Sequence, residues 1–187
     1  EAALRRNLAG LSETVVQALA DALATARRVH IFGMGGSSAV FAQELQQRLT
    51  RLGSPVAACS DAVAMRMLAA TLEDGDLVVA LSVSGRNREL LEACEIALGY
   101  GARLAAFTRS ETPLAARAHW LLPLVLDETD FVFKPSASRY ALLLAIDVLA
   151  TTVALRDPAG NRERLRRIKL ALDTWRGGGD ERLPLGD

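Results

Sequence analysis

Arg28-Val29-His30-Ile31-Phe32-Gly33-Met34-Gly35-Gly36-Ser37-Ser38 runs from an apolar, β-like segment into a loop of glycines and serines, and a helical pattern opens directly after it. A second stretch follows the same order: Leu77-Val78-Val79-Ala80-Leu81 leads into Ser82-Val83-Ser84-Gly85-Arg86-Asn87, again with helix-like spacing beyond. Both loops are therefore expected at the carboxyl ends of parallel strands, where open α/β sheets bind their ligands. Glycine lets the backbone come close, the first N–H groups of a helix lack partners, and a serine hydroxyl both donates and accepts, so each loop suits an anion. Side by side, the two loops suggest one phosphate site. Ser82 and Ser84 flank Val83 and would point the same way from an extended segment, Gly85 permits a turn that aims N–H groups inward, and Asn87 can add a side-chain amide.

Outward from these loops the chain alternates strand and helix. Apolar residues at helical spacing from Leu4 to Ala26, interrupted by Ser12 as a cap, predict two leading helices. The first strand spans Val29 to Phe32, a helix runs from about Ser37 to Leu52 before Gly53 and Pro55, and Pro55 to Cys59 forms a short second strand. Asp61 caps a helix to about Thr71, Asp74-Gly75-Asp76 makes a turn, and Leu77 to Leu81 is a buried third strand. A helix from about Asn87 to Tyr100 ends at Gly101, Arg103 to Thr108 is the fourth strand, Pro113 to Arg117 a short helix, and Trp120 to Leu126 the fifth strand. An apolar helix from Ser136 to Leu155 follows, Asp157-Pro158 restarts the chain, and Asn161 to Trp175 is a basic amphipathic helix. Continuous apolar strands separated by helices imply a parallel sheet covered on both faces, a three-layer α/β/α sandwich of five strands. Residues 1–175 read as one domain and 176–187 as a flexible tail.

Length and composition fit that reading. The 187 residues are half apolar, ample for one core, and 22 Lys+Arg balance 22 Asp+Glu with no basic block, which argues against direct nucleic-acid binding. Cys59 and Cys94 sit in apolar runs without disulfide or metal-ligand spacing and read as small buried thiols in a reducing, cytoplasmic setting. No charge-free apolar stretch reaches the roughly eighteen residues of a membrane helix, so no membrane partner is expected. Neither a metal nor a cofactor is called for.

Two phosphate-binding alternatives fail on spacing. A dinucleotide fingerprint needs a third glycine where serines follow Gly36, and an acidic residue ending the second strand, which Ser60-Asp61 only approaches; a P-loop needs a lysine that is missing. His30 inside a strand and His119 before one have no obvious carboxylate partner and read as structural. Glu89 suits the first turn of its helix. Asp61, Glu128, Lys134 and Arg139 fall in loops or helix starts that can face the same rim and meet a ligand there, with solvated surface as their default, and Arg86 can supply charge.

Gly33-x-Gly35-Gly36-Ser37-Ser38 followed by Ser82-x-Ser84-Gly85-x-x-x-Glu89 resembles the sugar isomerase (SIS) domain over about Val29 to Ala154. More narrowly, the leader Asn7-Leu8-x-x-Leu11-x-x-Thr14, the stretch Ser82 to Ala93, Thr108-Arg109-Ser110 with Pro113-Leu114-Ala115, and Ser138-Arg139 with Leu143-x-x-Ile146-Asp147 resemble the effector domain of RpiR-type bacterial transcription regulators. The resemblance implies a flavodoxin-like sheet. It places a phosphosugar's phosphate on Ser37, Ser82 and Ser84, with Gly36 and Ser38 beside it. Asn87 stands where the family usually has threonine, so an amide would replace a hydroxyl.

Such regulators carry a helix-turn-helix domain ahead of a leader like this one. Glu1 opens this chain without a methionine, so the expectation is an isolated effector domain that reaches DNA only through a domain outside it. A sugar phosphate or phosphorylated sugar acid would bind the loops and change subunit packing. A homodimer or homotetramer is expected, with the apolar helices at Leu4 to Leu23 and Ala141 to Leu155 offering surfaces that monomer packing could equally bury. The alternative is a stand-alone aldose-ketose phosphosugar isomerase, which needs a positioned base that recognition alone does not.

Overall fold

The computed structural model describes residues 1–126 and 137–177. Five parallel strands, β1 (Val29–Gly33), β2 (Val56–Cys59), β3 (Leu77–Leu81), β4 (Arg103–Thr108) and β5 (Trp120–Pro123), lie in the order β2-β1-β3-β4-β5. The helices are α1 (Ala2–Gly10), α2 (Glu13–Thr25), α3 (Gly36–Thr50), α4 (Ala62–Ala69), α5 (Arg88–Gly99), α6 (Ala137–Ala154) and α7 (Pro158–Trp175).

Strand alternation sorts the apolar residues into two cores. Val29, Ile31, Leu77, Val79, Leu81, Ala105 and Phe107 face α2, α3 and α6, which contribute Leu19, Leu23, Leu45, Ile146 and Leu149. Phe32, Val78, Ala80, Leu104 and Ala106 face α4 and α5, which contribute Met65, Leu90, Ala93 and Cys94. The result is the expected three-layer sandwich. Each large side chain so buried is worth about 1.5–3 kcal/mol against exposure.

Caps fix most helix starts. The side chains of Ser12, Asp61, Asn87 and Asp157 accept from the N–H groups of Val15, Ala64, Leu90 and Gly160. Because Asp157 caps and Pro158 occupies the first turn, α7 starts three residues before the expected Asn161. The expected helix at 113–117 is a single 3₁₀ turn, Ala115–Arg117.

β5 stops at Pro123 instead of Leu126. The reason is Asn7: its Nδ2 donates to the Val125 carbonyl and its Oδ1 accepts the Val125 N–H, both at 2.9 Å, so a side chain from α1 takes the place of a neighbouring strand. At the opposite edge, the Ala58 N–H of β2 donates to the Gln46 side chain, which blunts an otherwise open strand.

The apolar helices offered above as association surfaces bury their faces within the chain: α2 through Leu19 and Leu23, α6 through Leu142, Ile146 and Leu149. Leu4, Leu8 and Leu155 remain exposed. α6 has the length and apolar composition to cross a membrane, yet 44% of it is buried against the sheet layer, and its Asp147 pairs with Arg48 at 2.9 Å. The tail assigned to 176–187 falls largely outside the described residues, as do Ser136, Glu128 and Lys134.

Candidate functional site

The order β2-β1-β3 places the chain's reversal of direction between β1 and β3, the switch point at which such sheets open a crevice beyond the strand ends. Gly33 and Leu81 are register partners, so the loops 33–38 and 82–87 leave adjacent strands at the same level. Each feeds a helix, α3 or α5, whose first N–H groups have no intrahelical partner.

The glycines of the two loops do different work. A Cβ on Gly33 would sit 2.4 Å from the Ser38 carbonyl oxygen, so Gly33 allows α3 to pack on β1. Gly35 and Gly36 have φ of 72° and 48°, and a Cβ on either would meet nothing within 4 Å: they border open space. The Gly35 carbonyl accepts the Ser38 N–H at 3.2 Å, and Ser38 is buried. Ser37 is half-buried, and its hydroxyl has no partner among the described residues.

In the second loop the chain turns instead of staying extended, which separates Ser82 from Ser84. The Gly85 N–H donates to the Ser82 carbonyl at 3.1 Å and to its hydroxyl at 3.2 Å, leaving Ser82 buried and Ser84 exposed. The Ser82 proton stays available for donation. Asn87 spends its carbonyl oxygen on the α5 cap, 2.8 Å from the Leu90 N–H, and its NH₂ has no partner among the described residues. Arg86 is exposed and has no acidic partner there, whereas Arg88 is paired with Glu92 at 2.7 Å.

Two groups escaped the sequence reading. Thr108 and Thr112 are buried beneath Gly85, whose φ is 61° and whose Cβ, if present, would lie 2.3 Å from the Thr112 hydroxyl and 2.5 Å from that of Thr108. The signal for Thr112 was present: a threonine just before Pro113 is a cap followed by a first-turn proline, and the Ala115 N–H donates to its hydroxyl at 3.2 Å. Asp76 is the second. Buried at the amino end of β3, it accepts from Arg28 at 2.6 Å, from Arg27 at 3.0 Å and from the Glu73 N–H at 2.9 Å. Burial opposes its ionisation, but the bonds from Arg28 and Arg27 outweigh that and hold its carboxyl well below the usual range.

The remaining candidates lie elsewhere or are occupied. His30 is the second residue of β1, away from the crevice, and burial together with the Arg28 charge pushes its pKa down. His119 accepts the Leu104 N–H on Nδ1 at 3.1 Å. Asp61 caps α4, and Arg139 opens α6 on the surface. Burial pushes the Cys94 thiol up to about 12, which leaves it unreactive; Cys59 is half-buried, and both are free.

Known proteins share this fold. The chain is 37% identical over 162 residues to the HTH-type transcriptional regulator HexR of Pseudomonas aeruginosa, an alignment that takes in 87% of this chain and 56% of that protein. The chain thus spans little more than half of that relative. The sugar isomerase domain of an RpiR transcription factor from Sphaerobacter thermophilus superposes with a TM-score of 0.80 at 25% identity, covering 89% of this chain and 91% of the other. The Vibrio vulnificus NanR protein, solved in complex with ManNAc-6P, shares the fold with a TM-score of 0.83 at 21% identity over 92% of this chain and 65% of its own. A family model described as the SIS domain matches residues 22–152, most of the described sheet and its helices, and the chain belongs to the SIS domain family.

Proposed function

We propose that the chain is the phosphosugar-sensing part of a transcription regulator, in which a sugar phosphate or phosphorylated sugar acid binds the β1/β3 crevice. One observation carries the reading: two serine-bearing helix starts meet at the switch point, with the exposed Ser84 and with donors at Ser37, Asn87 and Arg86 that are unpartnered among the described residues. Together they supply hydroxyls, amides and one positive charge to a group of two negative charges. In this reading Gly36, Ser37, Ser38, Ser82, Ser84 and Asn87 surround the phosphate. The similarity to HexR supports it, as does the sugar phosphate held by NanR on the same fold.

The reading extends to the intact regulator. DNA contact belongs to a helix-turn-helix segment of the kind its relatives are named for, and the protein works in the cytoplasm as a homodimer or homotetramer whose packing the effector alters. Light scattering at high micromolar concentration tests the last point, and a monomer contradicts it. The isomerase alternative needs a base at the reacting carbons. Neither histidine reaches the crevice, so such a base would have to be a carboxylate.

A thermal-shift screen against sugar phosphates and phosphorylated sugar acids, followed by NMR of each hit for conversion, tests the proposal. A raised melting temperature without conversion supports sensing, conversion makes the protein an isomerase, and no shift from folded protein rejects the site.

A further inference from the structure

The turn that carries Ser84 is shaped from below. Gly85 is held through its carbonyl by the Leu114 N–H at 3.2 Å and rests on the Thr108 and Thr112 hydroxyls. The Thr112 hydroxyl is fully used: it donates to the Arg109 carbonyl at 3.0 Å, accepts from the Ala115 N–H at 3.2 Å, and lies 3.4 Å from the Thr108 hydroxyl. The loop so closed is strained, with Glu111 at a φ of 57°, and it is anchored to α5 through the ion pair of Arg117 with Glu95. Neither threonine belongs to the crevice itself, since both lie on the β4 side of the turn, away from the loop after β1.

We infer that Thr112 is a positioning residue for phosphate recognition: it holds the 109–115 loop against Gly85 and thereby fixes the turn in which Ser84 and Arg86 meet the anion. The inference rests on the phosphate site proposed above. It predicts a coupling between a buried hydroxyl and the affinity of a site that the hydroxyl does not touch.

The experiment is a titration with inorganic phosphate, followed by amide NMR at Ser84, Gly85 and Arg86, for the unmodified chain and for Ser84→Ala, Thr112→Val and Thr112→Ser. Thr112→Val keeps the shape of the side chain but leaves the Ala115 N–H unpaired, so phosphate affinity is expected to fall about tenfold and the ligand-free Gly85 resonance to move. Thr112→Ser restores both, to within about twofold of the unmodified affinity. Lowered melting temperatures with unchanged phosphate affinity would mark Thr112 as merely structural and overturn the inference, as would a serine variant that binds as poorly as the valine one. If Ser84→Ala weakens binding while Thr112→Val does not, the site stands and the positioning role falls; if neither does, the site itself is rejected and the inference with it. Should Thr112→Val not fold, Thr112→Ala, which also removes the hydroxyl bonded to Arg109 and Ala115, carries the same test: a weaker affinity with a shifted Gly85 resonance upholds the inference, and no change in either overturns it.

Discussion

The two edges of the sheet treat polar groups in opposite ways. At the amino-terminal edge, the buried Asp76 carboxylate is taken up by Arg27, Arg28 and the Glu73 N–H. At the carboxyl-terminal edge, Ser37, Ser84, Arg86 and the Asn87 amide keep donors free among the described residues, around glycines that face open space. The difference separates stability from recognition along the length of a single strand: β3 begins at the closed network and ends at the open loop. Mutations at the first edge should change folding and spare binding, and those at the second should do the reverse, except where the open edge is itself braced.

Gly85 is that exception and should give the largest effect. Gly85→Ala forces a Cβ into the space of two hydroxyls at a left-handed φ, with an expected loss of roughly 3 kcal/mol in urea unfolding and weaker ligand binding besides. A tolerated alanine would break the distinction between the two loops. Asp76→Asn comes next, at about 2 kcal/mol, reduced because both arginines are partly exposed to solvent. The same group governs acid sensitivity. Its folded-state pKa lies below the unfolded value, so its stabilisation is complete above about pH 4 and disappears as the pH falls through the folded-state value. Asp76→Asn should flatten that decline in thermal melts taken from pH 5 downward, with phosphosugar binding at neutral pH unchanged.

Ser84→Ala should do the opposite, weakening the ligand by about 1.5–3 kcal/mol in calorimetry while leaving the unfolding midpoint in place. An unchanged affinity would contradict the open edge as the binding edge. Of the two glycine substitutions the milder for folding is Gly36→Ala, about 1 kcal/mol of backbone strain without a clash, since nothing lies within 4 Å. Comparing it with Gly85→Ala in one denaturation series sharpens the contrast between a glycine that leaves room and a glycine that fills it.

What could be read in advance followed the range of the interactions. β3 and β4 have the expected limits because strands buried on both faces are continuous apolar runs bounded by polar turns. The caps Ser12 and Asp61 were legible for the same reason, since each acts within three residues of itself, whereas Asn87 was expected at the ligand and its capping oxygen was not foreseen. β5 was drawn too long because Leu124 and Val125 have strand-like composition, while the partner of Val125 is Asn7, 118 residues away. Asp76 looked like a turn residue because its arginines lie 48 and 49 positions upstream. The positions of the two loops followed from local pattern. The burial of Ser82 beside an exposed Ser84 did not, because it depends on a turn supported by Thr112 from another strand's loop.

The paired bonds between Asn7 and Val125 make α1 a clasp on the far side of the sheet. In amide exchange, the Val125 proton is shielded by a side chain of the leader helix and by no strand, so its exchange measures how often α1 lifts away, independently of any opening of the sheet. A single backbone proton thus serves as a gauge of the leader's docking.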